Sequence, residues 1–181
     1  MKPGSRGYWL LVAGYVVVLF ALQPRLGFGV DAFKARWGER SFELTMTTVA
    51  VAVGLAVAAL LVLAWRGATA GERALLLLGL LLYGLGVAAL SIPQERLHYV
   101  EYGLLSGLFA LGLEAPLRSQ WKAATVAVLA AFALGAVDEM LQGLFWERRY
   151  FDWADIWLNA RAAVLGAVIA TPLANGLRRR T

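Results

Sequence analysis

Long apolar stretches separated by short polar connections run along this chain. Four of them are long enough to cross the ~30 Å hydrocarbon core of a bilayer, which takes about 20 helical residues. They cover residues 44–65, 74–92, 121–145 and 156–177. Two shorter stretches lie at 8–22 and 97–113, and Pro93 and Pro116 mark turns after spans. The pattern predicts an all-α integral membrane helical bundle of about six transmembrane helices, because within lipid only helices and closed barrels satisfy their own backbone groups.

The first apolar stretch is predicted to be an uncleaved helix. It is interrupted at Gln23-Pro24-Arg25 and lacks the small-residue cleavage pattern of a signal peptide. Within the mixed segment that follows, residues 24–42, Val30, Phe33 and Trp37 recur at helical spacing opposite charged residues. This spacing favours a short helix lying in the membrane interface, with an ordinary loop as the alternative.

Composition excludes several classes of protein. The chain is 60% hydrophobic and 16% charged, with a mean hydropathy of +0.65, which a soluble globule does not sustain. The absence of cysteine excludes disulfides, thiolate metal sites and a cysteine nucleophile. The net charge of +5 is concentrated outside the apolar spans, which favours contact with anionic lipid headgroups, and no aromatic-basic motif indicates a nucleic-acid partner. Without repeats or linkers, residues 1–181 are predicted to form a single membrane domain.

The distribution of Lys and Arg predicts the topology. The connections on one side of the predicted membrane carry nine of these residues and those on the other side carry seven, while Arg161 lies within a span. Three of the seven, Arg96, Arg148 and Arg149, are adjacent to acidic residues and are assigned to chemistry, which leaves nine against four. Both termini are therefore predicted to be cytoplasmic. Six alternating spans then bring the start of the fourth span, the end of the fifth and the connection at 146–155 to the same extracytoplasmic face.

The start of the fourth span carries the only histidine of the chain. His98, Glu101 and Tyr102 are spaced i, i+3 and i+4, so they share one face of a helix. A carboxylate one turn from an imidazole orients the ring and raises its basicity, which suits a general base. The alternative is a histidine that only hydrogen-bonds to lipid headgroups.

The end of the fifth span carries two adjacent carboxylates and an amide. Asp138 and Gln142 are spaced i, i+4, and Glu139 and Gln142 i, i+3. Carboxylates within hydrocarbon are costly unless they are paired, protonated or facing a polar cavity, so they predict a functional site. Polar contacts between neighbouring helices are the alternative.

The next connection and the start of the sixth span add further polar residues. Asp152, Asp155 and Asn159 follow one helical stripe at i, i+3 and i+7. Arg148 and Arg149 precede them; they either fix the chain at the interface, neutralise carboxylates or bind a phosphate as guanidinium groups do.

Oxygen-rich clusters of this kind have two uses. The first is to hold a hard divalent cation such as Mg²⁺ or Ca²⁺, which takes carboxylate and carbonyl oxygens; the candidate ligands are Asp138, Glu139 and Asp155, with Glu101. The second is to position His98 and Arg149 without any metal. Spacing does not decide between the two.

Three motifs together resemble the VanZ-like family, small bacterial membrane proteins named for a teicoplanin-resistance protein. The family pattern is an acidic-basic pair leading into a His with a Tyr four residues on, then DE-x-x-Q on a later span, then an Arg, an Asp and an Asn or Asp. In this chain the matching residues are Glu95-Arg96, His98, Tyr102, Asp138-Glu139, Gln142, Arg149, Asp155 and Asn159. The similarity covers about residues 94–170, which makes the N-terminal helices over 8–92 accessory.

Two features depart from that pattern. Trp146-Glu147-Arg148 stands where the family has Pro-Gly before its arginine, so Arg148 is an alternative to Arg149 as the family arginine. Ala162, next to the intramembrane Arg161, stands where a glycine is common.

The resemblance implies chemistry on lipids, because the family is similar in its His and acidic residues to membrane enzymes that exchange or hydrolyse lipid headgroups. With the spacing above, it predicts a phosphoester transferase or hydrolase acting on a phospholipid or polyprenyl-phosphate-linked cell-envelope lipid. His98 would activate an alcohol or water, or attack phosphorus itself, oriented by Glu101, while Asp138 and Glu139 complete the catalytic set. Substrate-binding residues would be Tyr102, Gln142, Arg148, Arg149 and Asn159.

The alternative class is not enzymatic. It is a protein that binds a lipid or glycopeptide, or an accessory protein of envelope polysaccharide assembly or antibiotic resistance. A transporter is disfavoured, because six short spans without repeats provide no alternating-access symmetry.

Overall fold

Six α-helices account for nearly all of the described chain. The computed structural model describes residues 2–145 and 151–179, with the backbone alone at 22–28, 46, 47, 49–51, 53, 54, 93 and 94. The helices are α1 (Arg6–Trp37), α2 (Glu39–Trp65), α3 (Ala70–Ala89), α4 (Pro93–Leu117), α5 (Gln120–Phe145) and α6 (Trp153–Arg178). No strand occurs within these described residues, so the predicted all-α class is confirmed.

Counted over the described residues, three helices are long and apolar enough to cross a membrane: α3, α5 and α6. Shorter apolar segments occur at Arg6–Ala21 in α1 and Leu55–Trp65 in α2. Helix α4 is less apolar because it carries four acidic or basic residues and a histidine, namely Glu95, Arg96, His98, Glu101 and Glu114. The membrane-type character of the helices is thus confirmed, while their number as spans stays a prediction.

Helix α1 differs from its prediction. The expected break at Gln23-Pro24-Arg25 is absent, and the helix runs on for 32 residues to Trp37. The segment predicted as a separate interfacial helix therefore forms the last turns of α1. Proline is tolerated in helices of membrane proteins, because neighbouring groups satisfy the freed carbonyl. The actual boundary is Gly38, whose φ of +84° favours glycine and ends the helix.

The two prolines predicted to mark turns lie within α4. Pro93 is its first residue, a position where the missing N–H costs nothing because that group has no partner inside the helix. Pro116 lies in the last turn, one residue before the helix ends. Both predicted turns therefore lie within two residues of a helix end.

Helices α4 and α6 pack closely through small residues. Gly103 and Gly107 on α4 face Gly166 and Ala170 on α6, and a Cβ built on Gly166 would collide with the backbone carbonyl of Gly103. A Cβ on Gly107 would lie 3.3 Å from that of Ala170. Such G-x-x-x-G contacts let two backbones approach within a membrane bundle. They bring the first half of α4 beside α6.

Gly166→Ala is expected to lower the free energy of unfolding by about 1–3 kcal/mol, because the added methyl meets backbone atoms that cannot move aside. The matched control is Gly84→Ala in α3, where nothing lies within 4 Å of the new Cβ. That control is expected to be neutral or to stabilise by up to ~1 kcal/mol, because alanine is the better helix former. Thermal unfolding in detergent measures both changes, and equal effects at the two positions would contradict the α4–α6 contact.

Candidate functional site at one end of the bundle

Three helix ends converge on a buried polar cluster. His98 and Tyr102 lie near the start of α4, and Asp138 and Gln142 lie near the end of α5. All four side chains are buried, as are Glu139 and Asn159. The described residues thus bring the start of α4, the end of α5 and the start of α6 to one end of the bundle. Residues 146–150 of the predicted connection lie outside the described residues, and the membrane face of this end stays a prediction.

Asp138 is the centre of the cluster. The Tyr102 hydroxyl donates a hydrogen bond to its Oδ2 over 3.1 Å, and Gln142 Nε2 donates to the same oxygen over 3.0 Å. Burying a carboxylate without hydrogen-bond donors is costly, and these two bonds offset part of that cost for Asp138. The bond from Tyr102 also joins α4 to α5 at this point.

Glu139 connects the cluster to the start of α6. Its Oε1 accepts a hydrogen bond of 3.3 Å from Gln142 Nε2, and its Oε2 accepts one of 3.4 Å from the Asp152 backbone N–H. Asp152 in turn caps α6, because its Oδ1 accepts a hydrogen bond of 2.7 Å from the Ala154 N–H. The carboxylate pair of α5 therefore helps to position the first turn of α6.

His98 lies beside Tyr102 on α4. The two rings are nearly parallel, with centroids 6.4 Å apart and an interplanar angle of 9°. Tyr102 in turn donates its hydroxyl to Asp138, so the imidazole lies next to a residue of the Asp138 cluster. Glu101 lies on the same helix and is half-buried; its backbone carbonyl accepts a hydrogen bond of 3.1 Å from the Tyr15 hydroxyl of α1.

Asn159 of α6 packs next to the cluster because a glycine of α5, Gly135, leaves room for its side chain. A Cβ built on Gly135 would lie 3.2 Å from the Asn159 Cβ and 3.4 Å from Tyr102 Cε1. Gly135 therefore lets side chains of α4 and α6 approach α5 at one level. Both polar atoms of the buried Asn159 amide lack a hydrogen-bond partner among the described residues.

Two residues of this region were not predicted from the sequence. Ser106 is fully buried one turn beyond Tyr102, and its hydroxyl also lacks a partner within the part of the chain that the structure describes. The i, i+4, i+8 spacing of His98, Tyr102 and Ser106 was the available signal. Gly135 carried no signal in the sequence, because its importance depends on the neighbouring helices.

The remaining predicted site residues are Asp155, Arg148 and Arg149. Asp155 is half-buried, one turn before Asn159 on α6. Arg148 and Arg149 lie outside the described residues. Across residues 2–145 and 151–179, no three His, Asp or Glu side chains form a group that could hold a metal ion. The divalent cation therefore stays a prediction.

No protein-family model matches the chain, and neither the curated proteins nor the solved structures contain a significant match. The resemblance to the VanZ-like family thus rests on the spacing of the motif residues alone.

Proposed function

We propose that this protein is a membrane-embedded phosphoester transferase or hydrolase. Its substrate would be a phospholipid or a polyprenyl-phosphate-linked lipid of the cell envelope. The observation that carries the proposal is the single buried cluster of one imidazole, two adjacent carboxylates, a phenol and two amides. Buried ionisable groups are expensive in a membrane protein and mark functional sites, and the VanZ-like spacing points the same way.

In the proposed reaction His98 acts as general base. Its neutral imidazole takes the proton of an alcohol or water as the oxygen attacks phosphorus and forms a P–O bond. The bond from phosphorus to the leaving alcohol breaks, and the imidazolium returns the proton to that oxygen, so protons and charge balance.

In a second route, His98 attacks phosphorus itself, so that an N–P bond forms as the bond from phosphorus to the leaving alcohol breaks, and the leaving oxygen takes a proton from water. Water or an acceptor alcohol then forms the new P–O bond as the N–P bond breaks, and its proton passes to solvent. Either route accounts for an imidazole buried beside acids.

The other residues would orient groups and balance charge. Asp138 and Glu139 stabilise the imidazolium that forms on His98, and a bound cation would add a positive charge for the phosphate. The unpartnered Asn159 amide and Ser106 hydroxyl offer hydrogen bonds to a polar headgroup. Arg148 and Arg149 are the proposed phosphate ligands, because a guanidinium pairs with phosphate oxygens in a fork geometry.

The proposal includes the orientation in the membrane. All six helices would span a bacterial plasma membrane, with both termini cytoplasmic and the cluster below the extracytoplasmic headgroups. The length of α4 supports its spanning the membrane, since the 20 residues from His98 to Leu117 cover about 30 Å at 1.5 Å per residue. That length matches the hydrocarbon core of a bilayer.

Phosphorus NMR of reconstituted vesicles tests the activity. The full chain is placed in vesicles of phosphatidylglycerol, phosphatidylethanolamine and a polyprenyl diphosphate, with and without Mg²⁺. We expect a phosphorus-containing product that protein-free vesicles do not form. Retention of every starting lipid, together with tight binding of one of them, would refute the enzyme.

Such binding would instead favour the non-catalytic function. The unpartnered amide of Asn159 and hydroxyl of Ser106 suit a binding site as well as a catalytic one. Under that second proposal, loss of the Asn159 amide weakens lipid binding, whereas replacement of His98 by glutamine leaves lipid binding unchanged.

A further inference from the structure

A second group of polar side chains lies at the opposite end of α4, α5 and α6. Glu114 lies near the end of α4, Gln120 at the start of α5, and Asn175 and Arg178 near the end of α6. These are the far ends of the three helices that carry the His98 cluster. The two groups are therefore separated by about the thickness of a bilayer's hydrocarbon core.

This end of the bundle contains a basic cavity of about 730 Å³. Its cationic lining residues are Lys2, Arg118 and Arg178, and its acidic one is Glu114. Arg178 forms a salt bridge of 2.9 Å with Glu114. Neither Lys2 nor Arg118 forms a salt bridge within the described part of the chain. The cavity thus presents an excess of two positive charges.

An apolar groove of about 330 Å³ lies next to this cavity, between α3 and α5 above α6. Its apolar lining includes Leu75, Trp121, Val168 and Pro172. Gln120 lines both the groove and the cavity, so the two spaces lie on either side of this residue. A basic compartment beside an apolar one matches a molecule with an anionic head and a hydrocarbon chain.

Hydrogen bonds hold Gln120 in place between the groove and the cavity. Gln120 Nε2 donates to Asn175 Oδ1 over 2.9 Å and to Glu114 over 3.1 Å. Asn175 Nδ2 donates to Glu72 of α3 over 2.9 Å, and Glu72 is paired with Arg179. Because these bonds join four helices, the junction is formed before any ligand arrives.

We propose that the cavity and groove together bind one anionic phospholipid, with its phosphate among Lys2, Arg118 and Arg178 and an acyl chain along the groove. The excess positive charge selects an anionic over a zwitterionic headgroup, and basic pockets between membrane helices bind such headgroups. The cavity volume lies within the ~300–1,000 Å³ typical of ligand sites. This site is independent of the reaction proposed at His98.

Native mass spectrometry of the full chain in neutral detergent tests the proposal. Phosphatidylglycerol and phosphatidylcholine with identical acyl chains are titrated separately. We expect one phosphatidylglycerol to bind at least about fivefold more tightly than phosphatidylcholine, because the choline cation of phosphatidylcholine offsets the attraction of its phosphate to a basic residue, which is worth about a factor of five.

The variants are Lys2→Ala and Arg118→Gly. The φ of +50° at Arg118 favours glycine, so its removal does not compromise folding. Each variant is expected to weaken phosphatidylglycerol binding about fivefold, and the double variant about 25-fold. The control is Arg66→Ala, which removes a positive charge at the same end but outside the cavity lining; it is expected to change affinity less than about twofold.

Three results would overturn the proposal. Equal affinity for the two lipids would mean that only the groove binds, through acyl chains. Equal losses in Arg66→Ala and Arg118→Gly would mean that diffuse surface charge attracts the lipid. Glycerol phosphate binding as tightly as phosphatidylglycerol would mean that the cavity takes a free phosphate and the groove contributes nothing.

Discussion

His98→Gln is expected to reduce the turnover of the vesicle lipids by about a hundredfold or more, because removal of a general base costs that much. Glutamine keeps a polar side chain of similar length beside Tyr102, but it cannot accept and return a proton. The free energy of unfolding should stay within about 1 kcal/mol of the unaltered protein. The rate is measured by phosphorus NMR in vesicles, and the stability by thermal unfolding in detergent.

The matched control is Tyr99→Phe, on the adjacent residue. Tyr99 is buried like His98, but its ring packs against Tyr83 of α3 with centroids 5.0 Å apart, outside the cluster. Removing the Tyr99 hydroxyl should leave lipid turnover within about threefold of that of the unaltered protein. If His98→Gln and Tyr99→Phe reduce turnover equally, the imidazole has no role in proton transfer and the binding function is favoured.

Much of this fold could be predicted because its main signal is local. A run of apolar residues predicts a membrane helix wherever it occurs, and five of the six predicted stretches lie within one helix of the structure. The sixth, 74–92, runs three residues past the end of α3 at Ala89. The local signal failed at Pro24, where the helix continues. A proline predicts a boundary in a soluble protein, but packing in a membrane bundle compensates for the lost hydrogen bond.

The residues of the cluster could be predicted for a related reason. Tyr102 follows His98, and Gln142 follows Asp138, by four residues, which places each pair on one helix face. Alternation of spans then brings the two pairs to the same end of the bundle. The hydrogen bond from Tyr102 to Asp138 joins residues that are 36 positions apart in the chain, so helical spacing could not predict it.

The contacts at the opposite end were not predictable from local patterns. Arg178 and Arg179 were counted as cytoplasmic charges, yet they pair with Glu114 and Glu72, which are 64 and 107 residues away. The contact between Gly103 and Gly166 was missed for the same reason. Small residues and charges at helix ends acquire partners only when the helices are assembled.

Tyr102→Phe is expected to lower the free energy of unfolding by about 1–3 kcal/mol, the cost of removing a hydrogen-bond donor from a buried carboxylate. The donor lost is the hydroxyl 3.1 Å from Asp138 Oδ2. In an Asp138→Leu background the same change should cost much less, because an apolar side chain of similar shape needs no donor. The two changes are therefore expected to be strongly coupled.

A double-mutant cycle on Tyr102→Phe and Asp138→Leu, read from unfolding in detergent, tests the buried cluster most directly. The control pairs Tyr8→Phe with Asp138→Leu, since the Tyr8 hydroxyl donates to the Leu108 carbonyl over 2.6 Å, away from Asp138. We expect a coupling energy of about 1–3 kcal/mol for Tyr102 and below about 0.5 kcal/mol for Tyr8. Additive effects for both pairs would contradict the meeting of α4 and α5 at a buried carboxylate, and with it the proposed active site.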